Sequence, residues 1–292
     1  MAQHANVEGR FRDNEELRYN LRALELYFPA HGHIYVVTDA QTPVWLRASS
    51  RLTVIDHQDL IPAQQLPTFD SCHIESYIHR IPGLSERYFY LNDDVMFGAP
   101  VQVNDWFSND GVYVAWSDEP EVTDEPLRRD AGALANACRL SHAWFKRHVQ
   151  AGTLAPNYQH TFRTFAHSPR PLRKSLLHAL EAVAPEMFSL VRSTVFRTWD
   201  KPTIVSDFVL RWALATGMAE VRDYPHLYVS TGDAEQFAVL ERLVSLAGKV
   251  AFFCVNDTTD DAYPHDARLT HVRETLQRMF PSPSSFELTG TA

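Results

Sequence analysis

Cysteine is scarce: Cys72, Cys138 and Cys254 are the only three in 292 residues, and no two form a CxxC pair. A disulfide framework or a thiolate metal site therefore has little to build on, and buried free thiols in a reducing compartment fit better. Basic residues are not in excess, with 27 Lys and Arg against 36 Asp and Glu for a net charge of −9. Overall charge gives no reason to expect nucleic acid or an anionic membrane as partner, although an acidic surface can still hold a local basic site for an anionic substrate. Long apolar runs are absent as well. The opening "MAQHANVEGRFRDNEELRY" has no hydrophobic core of a signal peptide, and no stretch is long enough for a membrane span. Internal repeats and low-complexity segments are also lacking.

What is present is the composition of an ordinary globular protein, 45% hydrophobic and 22% charged, with enough length for a substantial core. "DNEELRYNLRALELYF" sets Leu17, Leu21, Leu24 and Phe28 on one helical face, with Asp13 or Asn14 as N-cap. "HIYVVTD", "RLTVID", "RYFYL", "GVYVAW" and "KVAFFCVND" read as strands, rich in β-branched and aromatic residues. Helices are expected in "FDSCHIESYIHRI", around residues 132–150, in "LRKSLLHALEAV", in "SDFVLRWALATG" with Ser206 as cap and Gly217 as stop, and in "ARLTHVRETLQRMF". Such alternation predicts an α/β fold with a largely parallel sheet and helices on both faces. Between the elements, "SDEPEVTDEPLRRD" and "LAPNYQHTFRTFAHSPRP" are irregular connections.

Two apolar strands end in Asn-Asp: "YFYLNDDVMFG", carrying Asn92, Asp93 and Asp94, and "FFCVNDTTD", carrying Asn256 and Asp257. Ligands of open α/β sheets bind beyond the carboxyl ends of strands. Two such pairs could converge on one divalent cation, and Mg²⁺ favours a few carboxylates together with substrate phosphate oxygens. Asn and Asp are also the ordinary residues of a tight turn, and spacing alone leaves both readings open. His167, in "AHSPRP", precedes Arg170, Arg173 and Lys174. It could serve as a base toward a hydroxyl beside phosphate-holding cations, or be a surface histidine on a solvated basic face.

Longer segments decide between these readings. "RFRDNEELRYNLRALELYFP", "HIYVVTDAQTPVWL" and "LPTFDSCHIESYIHRIPGLSERYFYLNDDVMFG" resemble the long second conserved region of the Stealth phosphotransferases, bacterial capsule and exopolysaccharide sugar-phosphate transferases related to the catalytic subunit of N-acetylglucosamine-1-phosphotransferase. "HSPRPLRKSLLHALEAVAPEMF" with "STVFRTWD" resembles the third region, and "AFFCVNDTTDD" running to "FPSPSSFEL" the fourth. The resemblance implies one catalytic domain over residues 1–292: region two with the core sheet over 1–117, a variable connection over 118–166, and regions three and four over 167–292. It implies a Rossmann-like, glycosyltransferase-A-like core. It also implies transfer of a sugar 1-phosphate from a UDP-sugar to a glycan hydroxyl, with release of UMP.

By the same resemblance Asp93, Asp94, Asn256 and Asp257 hold Mg²⁺ or Mn²⁺, with Asp94 and Asp257 the preferred ligands. His167 is the base, Arg170 and Arg197 meet phosphate, and Arg10, Asn14, Arg18 and Asn92 contact the donor. The implied partners are a nucleotide sugar and a glycan acceptor, with no nucleic acid. The implied location is the cytoplasm, peripheral to the inner membrane and its polysaccharide machinery. The family's first region, with a "DIVYTWVDG"-like strand, has no counterpart in this sequence, which leaves independent activity open. Two other readings stand beside phosphotransfer: a metal-dependent glycosyltransferase releasing UDP, and a non-catalytic nucleotide- or glycan-binding subunit.

Overall fold

A computed structural model describes residues 8–154, 158–263 and 265–288, with Arg10 and Phe11 described by their backbone alone. The chain is mixed α/β. Its elements are α1 (Glu16–Tyr27), β1 (Ile34–Thr38), β2 (Leu52–Asp56), α2 (His57–Leu60), α3 (Ser71–Glu75), β3 (Arg87–Tyr90), β4 (Val95–Phe97), β5 (Val112–Val114), α4 (Ala133–Gln150), β6 (Arg170–Arg173), α5 (Lys174–Val183), α6 (Pro185–Val191), α7 (Val209–Ala215), β7 (Ala219–Val221), β8 (His226–Ser230), α8 (Gln236–Ser245), β9 (Phe252–Asn256) and α9 (Ala267–Met279).

The expected mostly parallel sheet is met only in part. Among the described residues the strands make four small sheets: β1–β2, β3–β6, β4–β9–β8 and β5–β7. The pairs β1–β2, β5–β7 and β8–β9 are parallel, whereas β3–β6 and β4–β9 are antiparallel. The antiparallel partners come from segments with weak strand signals. "VMF" is three residues long, and "RPLR" is polar and contains a proline. Without them the alternation of strand and helix looks more regular than it is.

The three-stranded sheet is covered on both faces because its side chains alternate. Phe97 and Phe252, opposite each other in the β4–β9 register, enter the largest apolar cluster with Trp106. Met96, Phe253 and Val255 enter a second cluster with Tyr19 and Ala23 of α1, Leu240 and Leu243 of α8, and Val272 and Leu276 of α9. Burial on both faces explains why "AFFCV" reads as an unbroken apolar run.

Helix α1 touches every cluster, through Leu24 in the first, Tyr19 and Ala23 in the second and Leu21 in a third built on Trp45 and Phe286. Its start differs from expectation. Glu15 caps it in a left-handed conformation, and Asn14 turns its amide elsewhere. Ser206 likewise caps nothing: residues Ile204–Phe208 form a π turn that runs into α7. Gly217, at φ 74, does close α7 in the left-handed region that favours glycine.

The Pro/Ser-rich segment after α9 is packed against this helix. Glu287 accepts from both ends of the Arg22 guanidinium at 2.7 Å, while Arg47 and Leu288 pair with Phe286 and Trp45 through the backbone at 2.8 Å. Removing one partner of a buried ion pair leaves the other charge stranded. Glu287→Ala is therefore expected to cost about 3 kcal/mol. Urea unfolding would show this as a lower midpoint at unchanged slope. A midpoint matching the wild type would mean that this segment does not anchor α1.

Candidate active site

Residues Leu91–Asp94 form the turn between β3 and β4. Asn20 of α1, buried, fixes that turn: its amide donates to the carbonyls of Asn92 at 3.1 Å, Asp93 at 3.2 Å and Val95 at 2.7 Å. Because β4 runs antiparallel to β9, the turn lands beside the end of β9. Val95 faces Cys254, and the Val255 N–H donates to the Asp94 carbonyl at 2.9 Å. The Cys254 thiol lies 3.4 Å from Asp94 Oδ2 as donor. The two Asn-Asp pairs, distant in sequence, thus share one corner of the sheet.

Their carboxylates are not equivalent there. Asp257 is saturated. Oδ2 accepts from Arg12 at 2.7 Å and Asn14 at 3.1 Å, and Oδ1 accepts from the Thr259 hydroxyl at 2.7 Å, the Thr259 N–H at 3.0 Å and Thr231 at 3.1 Å. Burial opposes its charge, but these donors outweigh it and hold the carboxyl below its ordinary range. Gly9 makes the close approach possible: a Cβ there would lie 2.6 Å from both the carbonyl oxygen and Oδ1 of Asp257.

This donor set does not suit a metal ligand, since a cation would have to displace Arg12. Asn256, the other late candidate, donates its amide to the Tyr228 hydroxyl at 2.9 Å. Asp93 is exposed and Asp94 half-buried at the turn. Two adjacent hard-oxygen carboxylates of this kind match the small protein share of a Mg²⁺ shell completed by water and phosphate. Among the described residues, no three His, Cys, Asp or Glu side chains are grouped so as to hold an ion by themselves.

His167 reaches the same corner from another direction. The Ala166 N–H donates to the Ala115 carbonyl at 3.0 Å, and the His167 ring lies 5.2 Å from that of Tyr228, the residue that accepts from Asn256. Arg170 lies directly opposite Tyr90, at the end of the β3–β6 pair that leads into the turn. It is only 5% exposed, and no hydrogen bond or ion pair reaches its guanidinium among the described residues. Burial lowers its pKa to about 10, partly offset by Glu75, Tyr90 and Asp207, so it stays charged at neutral pH.

Arg197 sits beside the start of α3, 3.6 Å from Asp70 and hydrogen-bonded to Ser71. Glu75, Tyr90 and Cys72 are close enough to act on its charge. Arg173 occupies the far end of β6, opposite Arg87, and is used by the Asn109 carbonyl. Of the arginines weighed from sequence, the geometry brings Arg170 and Arg197 together and leaves Arg173 out.

The expected donor contacts fare unevenly. Arg18 bonds Glu15 at 2.6 Å, approaches Glu287 at 3.3 Å and lies over the Trp45 ring, so it serves the packing of α1. Asn14 is at the site but gives its amide to Glu16 at 2.9 Å and to Asp257. Asn92 contributes its carbonyl to Asn20 and to the Val95 N–H. The Arg10 side chain lies outside the described residues.

Sequence reasoning missed Glu75, which is 3% exposed, accepts from the Tyr90 hydroxyl at 3.1 Å, and has no hydrogen-bond partner for Oε2 among the described residues. A glutamate inside an amphipathic helical segment reads as solvated, and only its pairing with Tyr90 from β3 reveals otherwise. Burial raises it from 4.5 to about 7, against the pull of Arg197 and Arg170. Glu16 is similarly raised to about 7, first by burial and then by Asp93.

A carboxyl whose folded pKa lies above its unfolded value favours the folded state when protonated, so its contribution falls as pH rises from 4.5 to 7. Glu75→Gln stays neutral throughout. Relative to this variant, the wild type is expected to lose up to about 3 kcal/mol across that window. Chemical denaturation at several pH values checks this. A stability difference that is flat with pH would place an ordinary carboxylate at Glu75.

Two family profiles match the chain: Stealth protein CR2, conserved region 2, over residues 10–115, and Stealth protein CR4, conserved region 4, over residues 247–292, together just over half of it. The chain is 34% identical to an exopolysaccharide phosphotransferase of Streptomyces coelicolor over 95% of its own length and 29% of the relative. It is 35% identical to a second from that organism over 98% of this chain and 47% of the relative. Against the exopolysaccharide phosphotransferase CpsY of Mycobacterium tuberculosis the identity is 32%, over 97% of this chain and 52% of the relative. The chain thus spans about half the length, or less, of these relatives. With the carboxylate turn inside the first matched region and the β9 corner inside the second, the chain belongs to the Stealth family.

Proposed function

We propose that this chain transfers a sugar 1-phosphate from a UDP-N-acetylhexosamine to a glycan hydroxyl, releasing UMP, in capsule or exopolysaccharide synthesis. The observation that carries the reading is Arg170, a buried guanidinium with no hydrogen bond or ion pair among the described residues, beside a carboxylate turn. A buried cation that nearby acids offset only in part is costly to keep, and a bound anion removes that cost. A diphosphate supplies that anion, and the curated relatives named exopolysaccharide phosphotransferases support the reaction class. We read the parallel pairs β1–β2 and β8–β9 as parts of a glycosyltransferase-A-like core. Among the described residues no helix is long and apolar enough to cross a membrane, which is compatible with action on a peripheral glycan.

In this reading Arg170 and Arg197 hold the diphosphate oxygens and stabilise the charge that redistributes in the transition state. His167 takes the proton of the acceptor hydroxyl as its oxygen bonds to the sugar-linked phosphorus. The bond from that phosphorus to the oxygen bridging to UMP breaks, and UMP leaves. Asp93 and Asp94 would hold Mg²⁺ or Mn²⁺, whose contribution is charge neutralisation at the diphosphate. Asp257 keeps the segment bearing Arg12 and Asn14 against the corner.

The test is incubation with Mg²⁺, UDP-N-acetylglucosamine and oligosaccharide acceptors, with nucleotides separated by chromatography and products read by ³¹P NMR. Acceptor-dependent UMP with a new phosphodiester signal is expected, whereas UDP without a diester would make the chain a glycosyltransferase. His167→Ala is expected to lower turnover by about 10²- to 10⁴-fold with donor binding retained. Normal turnover in that variant would remove His167 from the mechanism.

A further inference from the structure

Phe69 and Phe196 stack with ring centroids 5.2 Å apart and planes 16° from parallel. They are nevertheless 51% and 43% exposed, next to Val195 at 42%. A lone exposed apolar residue needs no explanation, but a stacked pair with an apolar neighbour is a patch. The rings are also held firmly. Phe69 bridges Phe196 in parallel, its N–H donates to the Val195 carbonyl at 2.7 Å, and the Thr194 hydroxyl donates to the Phe196 carbonyl at 2.8 Å.

The position of the patch matters most. Phe69 directly precedes Asp70 and Ser71, and Phe196 directly precedes Arg197, which contacts both of them. Two residues beyond Arg197, Trp199 lies under exposed Arg129 at 5.6 Å. The exposed ring pair thus adjoins the arginine assigned to phosphate, with a second aromatic–guanidinium contact two residues further along the same segment.

We propose that the Phe69–Phe196 platform is an acceptor subsite that stacks a pyranose ring of the glycan. A pyranose has an apolar C–H face and a rim of hydroxyls, matching exposed rings with the Arg197 guanidinium next to them in the chain. An acceptor that continues as a polymer needs a solvent-open surface leading to the reactive corner, whereas a nucleotide needs an enclosing cleft. Preformed rings spare the ordering cost of binding. The inference rests on the transferase reading only for which hydroxyl is presented; binding of the glycan itself does not.

The test is titration of the full chain with chitohexaose, maltohexaose and cellohexaose by saturation-transfer NMR, without turnover. At least one hexasaccharide should bind, with saturation strongest at ring C–H protons. Phe69→Ala with Phe196→Ala should weaken it by about tenfold or more while UDP-N-acetylglucosamine affinity stays within about twofold. Phe69→Leu with Phe196→Leu keeps the bulk and should weaken the sugar as well, which separates stacking from loss of fold.

Three results would overturn the platform: no hexasaccharide bound, undiminished binding in both double variants, or a parallel loss of donor affinity, which would indicate a nucleobase. A wild-type dimer in sedimentation that the leucine variant dissociates would do the same, because a second copy would then cover the rings. Hexasaccharide binding through the platform without any release of UMP would sink phosphotransfer alone and leave the subsite standing.

Discussion

The amide of Asn20 has two hydrogens and three carbonyls to serve, those of Asn92, Asp93 and Val95. On this one side chain depends the placement of the carboxylate turn relative to α1, and through β4 its placement relative to β9. Three carbonyls drawn to one buried amide fix the turn against the helix. The turn can therefore sit where it does only while α1 keeps its depth and rotation. That depth is set in turn by apolar residues on three sides of the helix and by the Arg22–Glu287 pair at its flank. Packing far from the corner thus reaches the candidate chemistry through one short hydrogen-bonded link.

Periodicity made the helices legible: α1, α4, α5 and α9 lie close to where their apolar spacing puts them. The long buried strands were legible for a similar reason. The strands β4, β6, β7 and β8 were not: "VMF" follows the Asn-Asp turn at once, "RPLR" and "AEV" carry charge or proline, and "HLYVS", though bounded by Pro225 and Gly232, opens on a histidine and ends on a serine. Two of them, β4 and β6, supply the antiparallel pairings, so the departure from an all-parallel arrangement follows from missed elements.

The candidate site divides along the same line. Asp94, Asn256 and His167 lie in local motifs that stand out in one dimension, whereas Asn20, Glu75, Tyr90 and Arg12 act through partners far along the chain. Asp257 illustrates the limit from the other side. Its position after an apolar strand suggested a metal ligand, but the five donors around it come from Arg12, Asn14, Thr231 and Thr259, and no spacing rule could have assembled them.

A net charge of −9 would argue against an anionic substrate if charge acted from the surface alone. Exposed charges are screened by water and salt, and their sum says little about the field at a partly buried corner. There the balance is local. The Arg170 guanidinium is buried with no hydrogen bond or ion pair among the described residues, and Glu75, the acid on α3, is pushed by burial toward its neutral form. Glu75 drawn toward its neutral form offsets the guanidinium less, while Asp93 and Asp94 stay at the more open turn. The corner therefore presents a fixed cation beneath and carboxylates at its mouth. That polarity suits a diphosphate that must be gripped on one side and accompanied by a cation on the other.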